Sequence, residues 1–254
     1  MADANNGQTL TAALYLDVYG DSDVIVTVRG PEFELAPGAY QEFYWQLDLG
    51  EIGPIVFAGV EISSEQATDG SVYLDYLTWE GAPNVVLQRP DFPGDMWRRA
   101  WINGIDEYNP RFPEAFRLVQ NEGCGLLMQG TREWTDYQVS AEITPHMVKS
   151  SGIGARVQGM RRYYGLMLGP DGKAQLVKAL DGVTILAESD IGWRLRSSYD
   201  LRLQVTGTRL QGWVDGEQLF DLYDEERPLE GGAIALICEE GRMAAEQVTV
   251  KPAG

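Results

Sequence analysis

The feature that most constrains this chain is a regular alternation of apolar and polar residues in its C-terminal half. Apolar residues occupy every second position in Tyr137–Thr144, and Gly152–Gln158 and Tyr199–Thr206 repeat the pattern. Because side chains alternate across a β-strand, this period predicts antiparallel strands with one face in a core and the other in water. Dipeptides that favour tight hairpins separate such segments, at Asp171-Gly172, Asp181-Gly182 and Asp215-Gly216. We therefore predict a two-sheet sandwich over residues 114–254.

The N-terminal part also carries strand signals. Short segments rich in Val, Ile, Tyr, Phe and Trp are separated by Gly, Pro and Asp, which is typical of sandwiches and barrels. The predicted strands are Leu10–Val18, Val24–Val28, Tyr40–Leu47, Ile55–Ile62 and Val72–Trp79. Residues 1–88 are few for a complete sandwich, so either further strands precede them or they pack against the second unit. The predicted fold class is all-β, with two antiparallel β-sandwich units.

Residues 89–113 interrupt the strand pattern and predict a connector. Prolines alternate there with large aromatic residues, as in Pro90, Pro93, Trp97, Trp101, Tyr108, Pro110 and Pro113. Proline removes a backbone hydrogen-bond donor from helices and sheets alike, so regular structure is disfavoured. A short helix over 113–119 is the exception that we predict, because proline suits a first helical turn. The domain prediction is a partial sandwich at 1–88, the connector at 89–113 and a full sandwich at 114–254.

The charge of the chain excludes some classes of partner. The formal net charge is −18, and the first 90 residues carry only Arg29 and Arg89 as basic side chains. Proteins that bind nucleic acids use basic surfaces to neutralise phosphates. We therefore expect no nucleic-acid partner and no binding to an anionic membrane. No apolar run is long enough to predict a membrane span, and the acidity itself is the ordinary property of a soluble surface.

The two cysteines, Cys124 and Cys238, are too few for a disulfide framework and lack metal-binding spacing. Early and late strands of a sandwich can be neighbours, so a single disulfide is one alternative. Two unpaired, buried thiols are the other.

Motifs for catalysis are missing from the chain. It contains no Gly-x-Ser-x-Gly, no phosphate-binding loop and no dinucleotide-binding glycine pattern. His146 is the single histidine and follows Pro145, so we expect it in a surface turn. Glycosidases need two facing carboxylates, and Glu142 is the acid that the alternation places mid-strand on a polar face. Glu142 is therefore a weak candidate for acid–base chemistry, and no catalytic residue is assigned.

The polar faces of the second unit suggest a ligand surface. Sugars are bound by flat aromatic rings together with planar groups that pair with hydroxyls. Residues of these types share the predicted polar positions or the adjoining turn, and the candidate set is Gln138, Glu142, Arg156, Gln158, Arg162, Tyr163, Arg202 and Trp213. The alternatives are a solvated sheet face, or a face that the first unit covers.

Several motifs of the second unit occur in the order found in a known group of sandwiches. They are Glu133–Tyr137, Ser151–Arg156, Arg162–Leu166, Trp213–Gly216 and Gly232–Leu236. In this order they resemble the concanavalin A-like, or laminin-G-like, sandwiches, particularly the 3-keto-disaccharide hydrolase domains. The resemblance implies a sheet that faces carbohydrate, and it does not imply catalysis.

The segment Gly70–Trp79 resembles the closing strand of galactose-binding-like jelly rolls, which occur in many carbohydrate-binding modules. In that group an aspartate in this strand often helps to bind a structural calcium, and Asp75 matches it by position. Tyr76 stands where a second acid is common, which departs from the pattern. The tandem is also similar to C-terminal regions of some bacterial ADP-ribosylglycohydrolase-family proteins, and this similarity implies a catalytic domain upstream of the chain.

Together these features predict a non-catalytic carbohydrate-binding accessory module of a larger bacterial protein. One alternative is a glycoside hydrolase that acts at the polar face of the second sandwich. The other is a structural module that packs on a separate catalytic domain. The first residues show no basic region followed by an apolar core, so they predict no signal peptide. An extracellular location is favoured on the other features, with the cytoplasm as the alternative.

Overall fold

The computed structural model describes residues 2–4, 7–47, 54–108 and 112–254. The chain divides into a first unit, Met1–Trp79 with Pro90–Ala100, and a second unit, Glu80–Arg89 with Trp101–Gly254. The segment predicted as a connector thus contributes to both units. The expected division at residues 88 and 113 stays a prediction.

The first unit contains two small antiparallel sheets. Its strands are β1 (Ala2–Ala4), β2 (Leu10–Tyr19), β3 (Ile25–Leu35), β4 (Ile55–Ser63) and β5 (Gly70–Val72). Strand β2 lies between β3 and β4, whereas β1 pairs with β5. Apolar residues on one face of β2, such as Leu16 and Val18, are buried. A short helical turn, Met96–Ala100, joins this unit because the Asp23 carboxylate accepts hydrogen bonds from the Asp95 and Met96 amides, at 3.1 and 2.9 Å.

Two predicted strands of the first unit are wrong. Residues 40–47 form no strand, and in Val72–Trp79 only Val72 belongs to one. Both segments have strong β-propensity, but propensity is realised only where a neighbouring strand supplies hydrogen bonds and packing. Residues 73–79 are instead exposed. Residues 48–53, between the predicted strands Tyr40–Leu47 and Ile55–Ile62, lie outside the described residues.

The second unit is built from antiparallel strands of very different length. They are β6 (Val85–Gln88), β7 (Ile102–Gly104), β8 (Glu107–Tyr108), β9 (Phe116–Gln129), β10 (Tyr137–Gly159), β11 (Arg162–Leu168), β12 (Lys173–Leu180), β13 (Val183–Asp190), β14 (Tyr199–Thr206), β15 (Arg209–Val214), β16 (Glu217–Tyr223), β17 (Ala233–Ala245) and β18 (Gln247–Pro252). The predicted strands Tyr137–Thr144 and Gly152–Gln158 are both parts of β10, and Tyr199–Thr206 is β14.

The long strand β10 belongs to two sheets. Its first half pairs with β14 and β18 in a front sheet, whose order is β6-β18-β10-β14-β15-β16. Its second half pairs with β11 and β17 in a back sheet, whose order is β13-β12-β11-β10-β17-β9, with β7 and β8 added beside β9. The inner faces meet: a Cβ at Gly212 of the front sheet would lie 3.3 Å from Leu166 of the back sheet. The predicted sandwich is therefore confirmed.

The Asp-Gly dipeptides lie at the predicted turns. Asp181-Gly182 joins β12 to β13, and Asp215-Gly216 joins β15 to β16. Asp215 and Gly216 have φ of 50° and 81°. These positive values are the ones that a two-residue hairpin turn requires and that Asp-Gly tolerates.

The predicted helix over 113–119 is wrong, because β9 begins at Phe116. Phe116 and Leu118 are fully buried and alternate with Arg117 and Val119, so the segment has strand periodicity. Both cysteines are free, and no disulfide joins them: Cys238 is buried, whereas Cys124 is exposed. Burial raises the pKa of the Cys238 thiol to about 12.

A network of buried polar side chains joins two strands of the back sheet to the segment that follows β16. Lys178 Nζ lies 2.6 Å from Asp224 Oδ2 and donates to the Glu226 carbonyl at 2.5 Å. The Tyr164 hydroxyl donates to Asp224 at 2.6 Å and accepts from the Leu229 amide at 2.9 Å. Lys178 and Asp224 are both buried, and the network fixes the segment after β16 to strands β11 and β12 of the back sheet.

No helix among the residues that the structure describes is long and apolar enough to cross a membrane.

Candidate functional site

The outer face of the front sheet carries two rows of polar and aromatic side chains. Residues that pair directly across antiparallel strands point to the same face, so the register defines the rows. The glutamine row is Lys251, Gln138, Gln204, Gln211 and Asp221. The arginine–tryptophan row is Thr249, Ser140, Arg202, Trp213 and Gln218.

The local sequence explains why these side chains face outward. Tyr137, Val139 and Ala141 of β10 are buried on the inner face, as are Leu201 and Leu203 of β14. The residues between them must then point away from the core. Alternation in the sequence is thus sufficient to place Gln138, Arg202 and Trp213 on one surface, as predicted.

Arg202 and Trp213 form a stacked pair. The guanidinium carbon of Arg202 lies 5.4 Å from the centre of the Trp213 ring. A cation at this distance is attracted to the ring face, so the two side chains restrain each other. Both are half-buried, which leaves part of each available to a ligand.

The glutamine row is anchored at one end by an ion pair. Arg209 donates to both oxygens of Asp221, at 2.8 and 2.7 Å, and this pairing lowers the pKa of the Asp221 carboxyl. The glutamine amides are held more loosely: Gln204 to Gln211 and Gln211 to Asp221 each measure 3.4 Å. Contacts of this length are weak, so the amides can exchange them for a ligand's hydroxyls.

A second aromatic–arginine pair lies beyond the glutamine row. Arg209 is 6.0 Å from the Tyr223 ring centre, and Tyr223 is 62% exposed. Tyr223 is not among the site residues predicted from the sequence. The signal was present, because Phe220 and Leu222 alternate with Asp221 and Tyr223 along β16.

Glu142 also lies on the front face, one row beyond Arg202 and Trp213. It pairs with Asp200 across β10 and β14, and the Asp200 amide donates to Asp215 Oδ1 at 2.8 Å. Burial raises the pKa of Asp200, the charges of Asp215 and Glu142 raise it further, and Arg202 opposes them.

A cleft of about 240 Å³ opens beside Glu142. Its lining combines carboxylates, hydroxyls and an imidazole: Glu114, Glu142, Thr144, His146, Ser198, Ala244, Ala245 and Glu246. The prediction that His146 lies in a surface turn is wrong. His146 lies inside β10, because the strand continues through Pro145 into the back sheet. Its Nε2 lies 2.7 Å from Arg117, and burial together with that charge lowers the pKa of His146.

Arg156 does not face a ligand surface. It is 2% exposed, and its guanidinium donates to the carbonyls of Thr135, Gly207 and Leu229 and to the Asp136 carboxylate, at 2.6 to 3.0 Å. Its backbone φ of 50° breaks the regular strand, which the register of β10 also shows between Gly154 and Val157. The alternation therefore fails at this position, and the expectation that Arg156 lies on the polar face is wrong.

Tyr163 is buried as well, so its expected exposure is also wrong. It is 4% exposed and belongs to a cluster of apolar residues on the back sheet, with Val157, Met167, Ala179 and Ile237. Its hydroxyl lies 3.7 Å from Cys124 Sγ. Both faces of the back sheet are covered at this point, so the alternation does not separate a core face from a wet one.

Gln158 and Arg162 are exposed, but they lie at the end of β10 and the start of β11, outside the two rows. Gln158 donates to the Gly231 carbonyl at 2.8 Å, and Arg162 pairs with Asp181 at 3.1 Å. Of the predicted set, the structure thus brings together Gln138, Glu142, Arg202 and Trp213.

Asp75 is exposed in a segment without regular structure. Calcium takes six to eight oxygen ligands, and the described residues contain no group of three or more acidic, histidine or cysteine side chains that could hold a metal. A structural calcium at Asp75 stays a prediction.

Comparison with known proteins defines the class of fold. No protein-family model and no curated protein matches the chain. Solved structures do: the carbohydrate binding module CBM66 from Bacillus subtilis matches with a TM-score of 0.54 and 14% identity over 60% of this chain and 95% of that chain. A Bacillus subtilis protein of unknown function with a galectin-like fold has a TM-score of 0.51 and 12% identity over 68% and 97%.

A structure described as a native glycosidic hydrolase matches with a TM-score of 0.50 and 13% identity, over 70% of this chain and 99% of that chain. At such identities the likeness concerns the fold alone. The chain has the all-β, jelly-roll and concanavalin A-like architecture that the resemblance implied.

Proposed function

We propose that the front face binds carbohydrate and that the chain is a non-catalytic carbohydrate-binding module. The observation that carries the proposal is the Arg202–Trp213 stack set beside the glutamine row. A sugar presents an apolar ring face edged by hydroxyls, and this surface offers a matching aromatic ring, guanidinium and amides.

The chemistry of each group suits this ligand. An amide side chain both donates and accepts, so Gln138, Gln204 and Gln211 can each bond a hydroxyl in either sense. The guanidinium of Arg202 presents a rigid fork of donors that can reach two neighbouring hydroxyls. Because the stack with Trp213 already restrains that fork, less conformational entropy is lost on binding.

The structural neighbours support the proposal without extending it. One is a carbohydrate binding module and another a glycosidic hydrolase, so folds of this kind occur in proteins that handle carbohydrate. The accessory role, with an upstream catalytic domain and a tandem similar to ADP-ribosylglycohydrolase-family proteins, is the finer part of the proposal. The natural gene upstream of residue 1 tests it, since a catalytic domain is expected there.

Replacing Trp213 by alanine is the direct test of the binding face. We expect affinity for the sugars retained on a glycan array to fall about fivefold, because loss of ring stacking is worth about 1 kcal/mol. Calorimetry measures the change, and Trp213→Phe should keep part of the affinity. Arg162→Ala, an exposed change outside the two rows, is the matched control. If Trp213→Ala and the wild type bind equally well, the proposal that the ligand binds at this face is wrong.

The cleft beside Glu142 favours one alternative, a glycoside hydrolase. Glu114, Glu142 and Glu246 line the same cleft, and hydrolysis of a glycosidic bond needs two carboxylates near each other. Under the binding proposal, a panel of chromogenic glycosides should show no turnover. Turnover that Glu142→Gln abolishes would instead establish the hydrolase, and turnover that survives the change would remove Glu142 from it.

A further inference from the structure

We propose that the front face takes a linear oligosaccharide chain rather than a single sugar, with ring contacts at both Trp213 and Tyr223. The inference rests on the proposed function and names its ligand class. Two aromatic–arginine pairs flank the glutamine row. The distance between these pairs sets the minimum length of a ligand that contacts both.

The register fixes that separation. Tyr223 of β16 pairs with Arg209 of β15, and Trp213 lies four residues further along β15. At about 3.3 Å per residue, the two aromatic positions are about 13 Å apart along the strand direction. One pyranose ring cannot contact both, whereas a chain of linked sugars can.

The space between the two aromatic residues is lined by hydroxyl-binding groups. Gln204, Gln211 and Asp221 form the intervening row, between the Arg202–Trp213 pair and the Arg209–Tyr223 pair. The surface therefore alternates aromatic, polar and aromatic along the strands. A sugar bound between two stacked sugars would present its hydroxyls to this row.

Tyr223 has the properties of a ligand contact rather than of a packing residue. It is 62% exposed, and Arg209, which Asp221 holds at both oxygens, lies against its ring. Arg209 and Asp221 are themselves about 40% exposed. A large ring kept open to solvent at the sheet edge, beside a fixed guanidinium, adds little to the core and suits stacking on a partner.

Neutral polysaccharides are the appropriate probes, because amides dominate the intervening row and the chain is acidic. Affinity electrophoresis in gels that contain barley β-glucan, xylan or galactomannan identifies a retained polymer. Calorimetry then follows its oligosaccharides from the monosaccharide to the hexasaccharide. We expect affinity to rise about tenfold between the disaccharide and the tetrasaccharide and then to level off.

Variants at Tyr223 separate this inference from the proposed function. Tyr223→Ala should lose the gain at the tetrasaccharide but leave disaccharide binding unchanged, and Tyr223→Phe should retain the gain. Arg162→Ala again serves as the surface control. If affinity does not depend on chain length, or Tyr223→Ala binds the tetrasaccharide like the wild type, the inference is wrong while binding at Trp213 stands. Retention by none of the polymers would overturn both.

Discussion

Arg156→Ala is expected to lower the free energy of unfolding of the second unit by about 3–5 kcal/mol. The guanidinium is buried, and it satisfies the carbonyls of Thr135, Gly207 and Leu229. Truncation leaves these acceptors without their donor in a place that water reaches poorly, and each such loss costs about 1–3 kcal/mol. The three segments that the side chain holds together would also separate.

Urea denaturation of the full chain, followed by tryptophan fluorescence and circular dichroism, measures this effect. Arg156→Lys should also destabilise strongly, because an ammonium cannot reproduce the planar fork. The control is Arg162→Ala, whose ion pair with Asp181 is half-exposed and so should matter by less than about 1 kcal/mol. A similar small effect at Arg156 would show that the loops are held by other contacts.

Asp224→Ala is expected to cost a comparable amount, about 3–5 kcal/mol, for an electrostatic reason. The change leaves the Lys178 ammonium buried without its counter-ion, which is far less favourable than the pair. Tyr164 would lose its acceptor at the same time. Tyr164→Phe, which keeps the ion pair, should cost only about 1–2 kcal/mol.

A double variant distinguishes the loss of a charge partner from the loss of packing. Lys178→Met combined with Asp224→Asn removes both charges, roughly conserves volume and keeps an acceptor oxygen for the Tyr164 hydroxyl, so most of the stability should return. Thermal and urea denaturation of the two single variants and the double variant give the coupling energy. Simple addition of the two single effects would contradict the buried ion pair as the cause.

The front face could be read from the sequence because its strands are regular. In the first half of β10 and in β14 every second residue is buried, so counting assigns Gln138, Glu142 and Arg202 to one face. The alternation of residues along a strand does not reveal which residues pair across neighbouring strands. That Tyr223 stands beside Arg209 depends on the irregular pairing of β15 and β16, which a single sequence does not show.

Which residues of the back sheet are exposed could not be predicted from alternation, for two physical reasons. The positive φ of Arg156 shifts the alternation within β10. Nothing in the local sequence indicates this positive φ. Around Tyr163 both faces are apolar or covered, so polarity no longer reports direction. In the first unit the propensity of Tyr40–Leu47 indicated a strand that finds no neighbour to pair with.

Strand β10 sets a limit on how this sandwich can be recombined. Because one uninterrupted segment supplies a central strand to both sheets, neither sheet can be exchanged between proteins as a separate part. A chimera must carry the whole sandwich, and a new chain end or an inserted loop belongs at the exposed Asp181-Gly182 turn between β12 and β13. The front face and the buried Arg156 network are thereby transferred together.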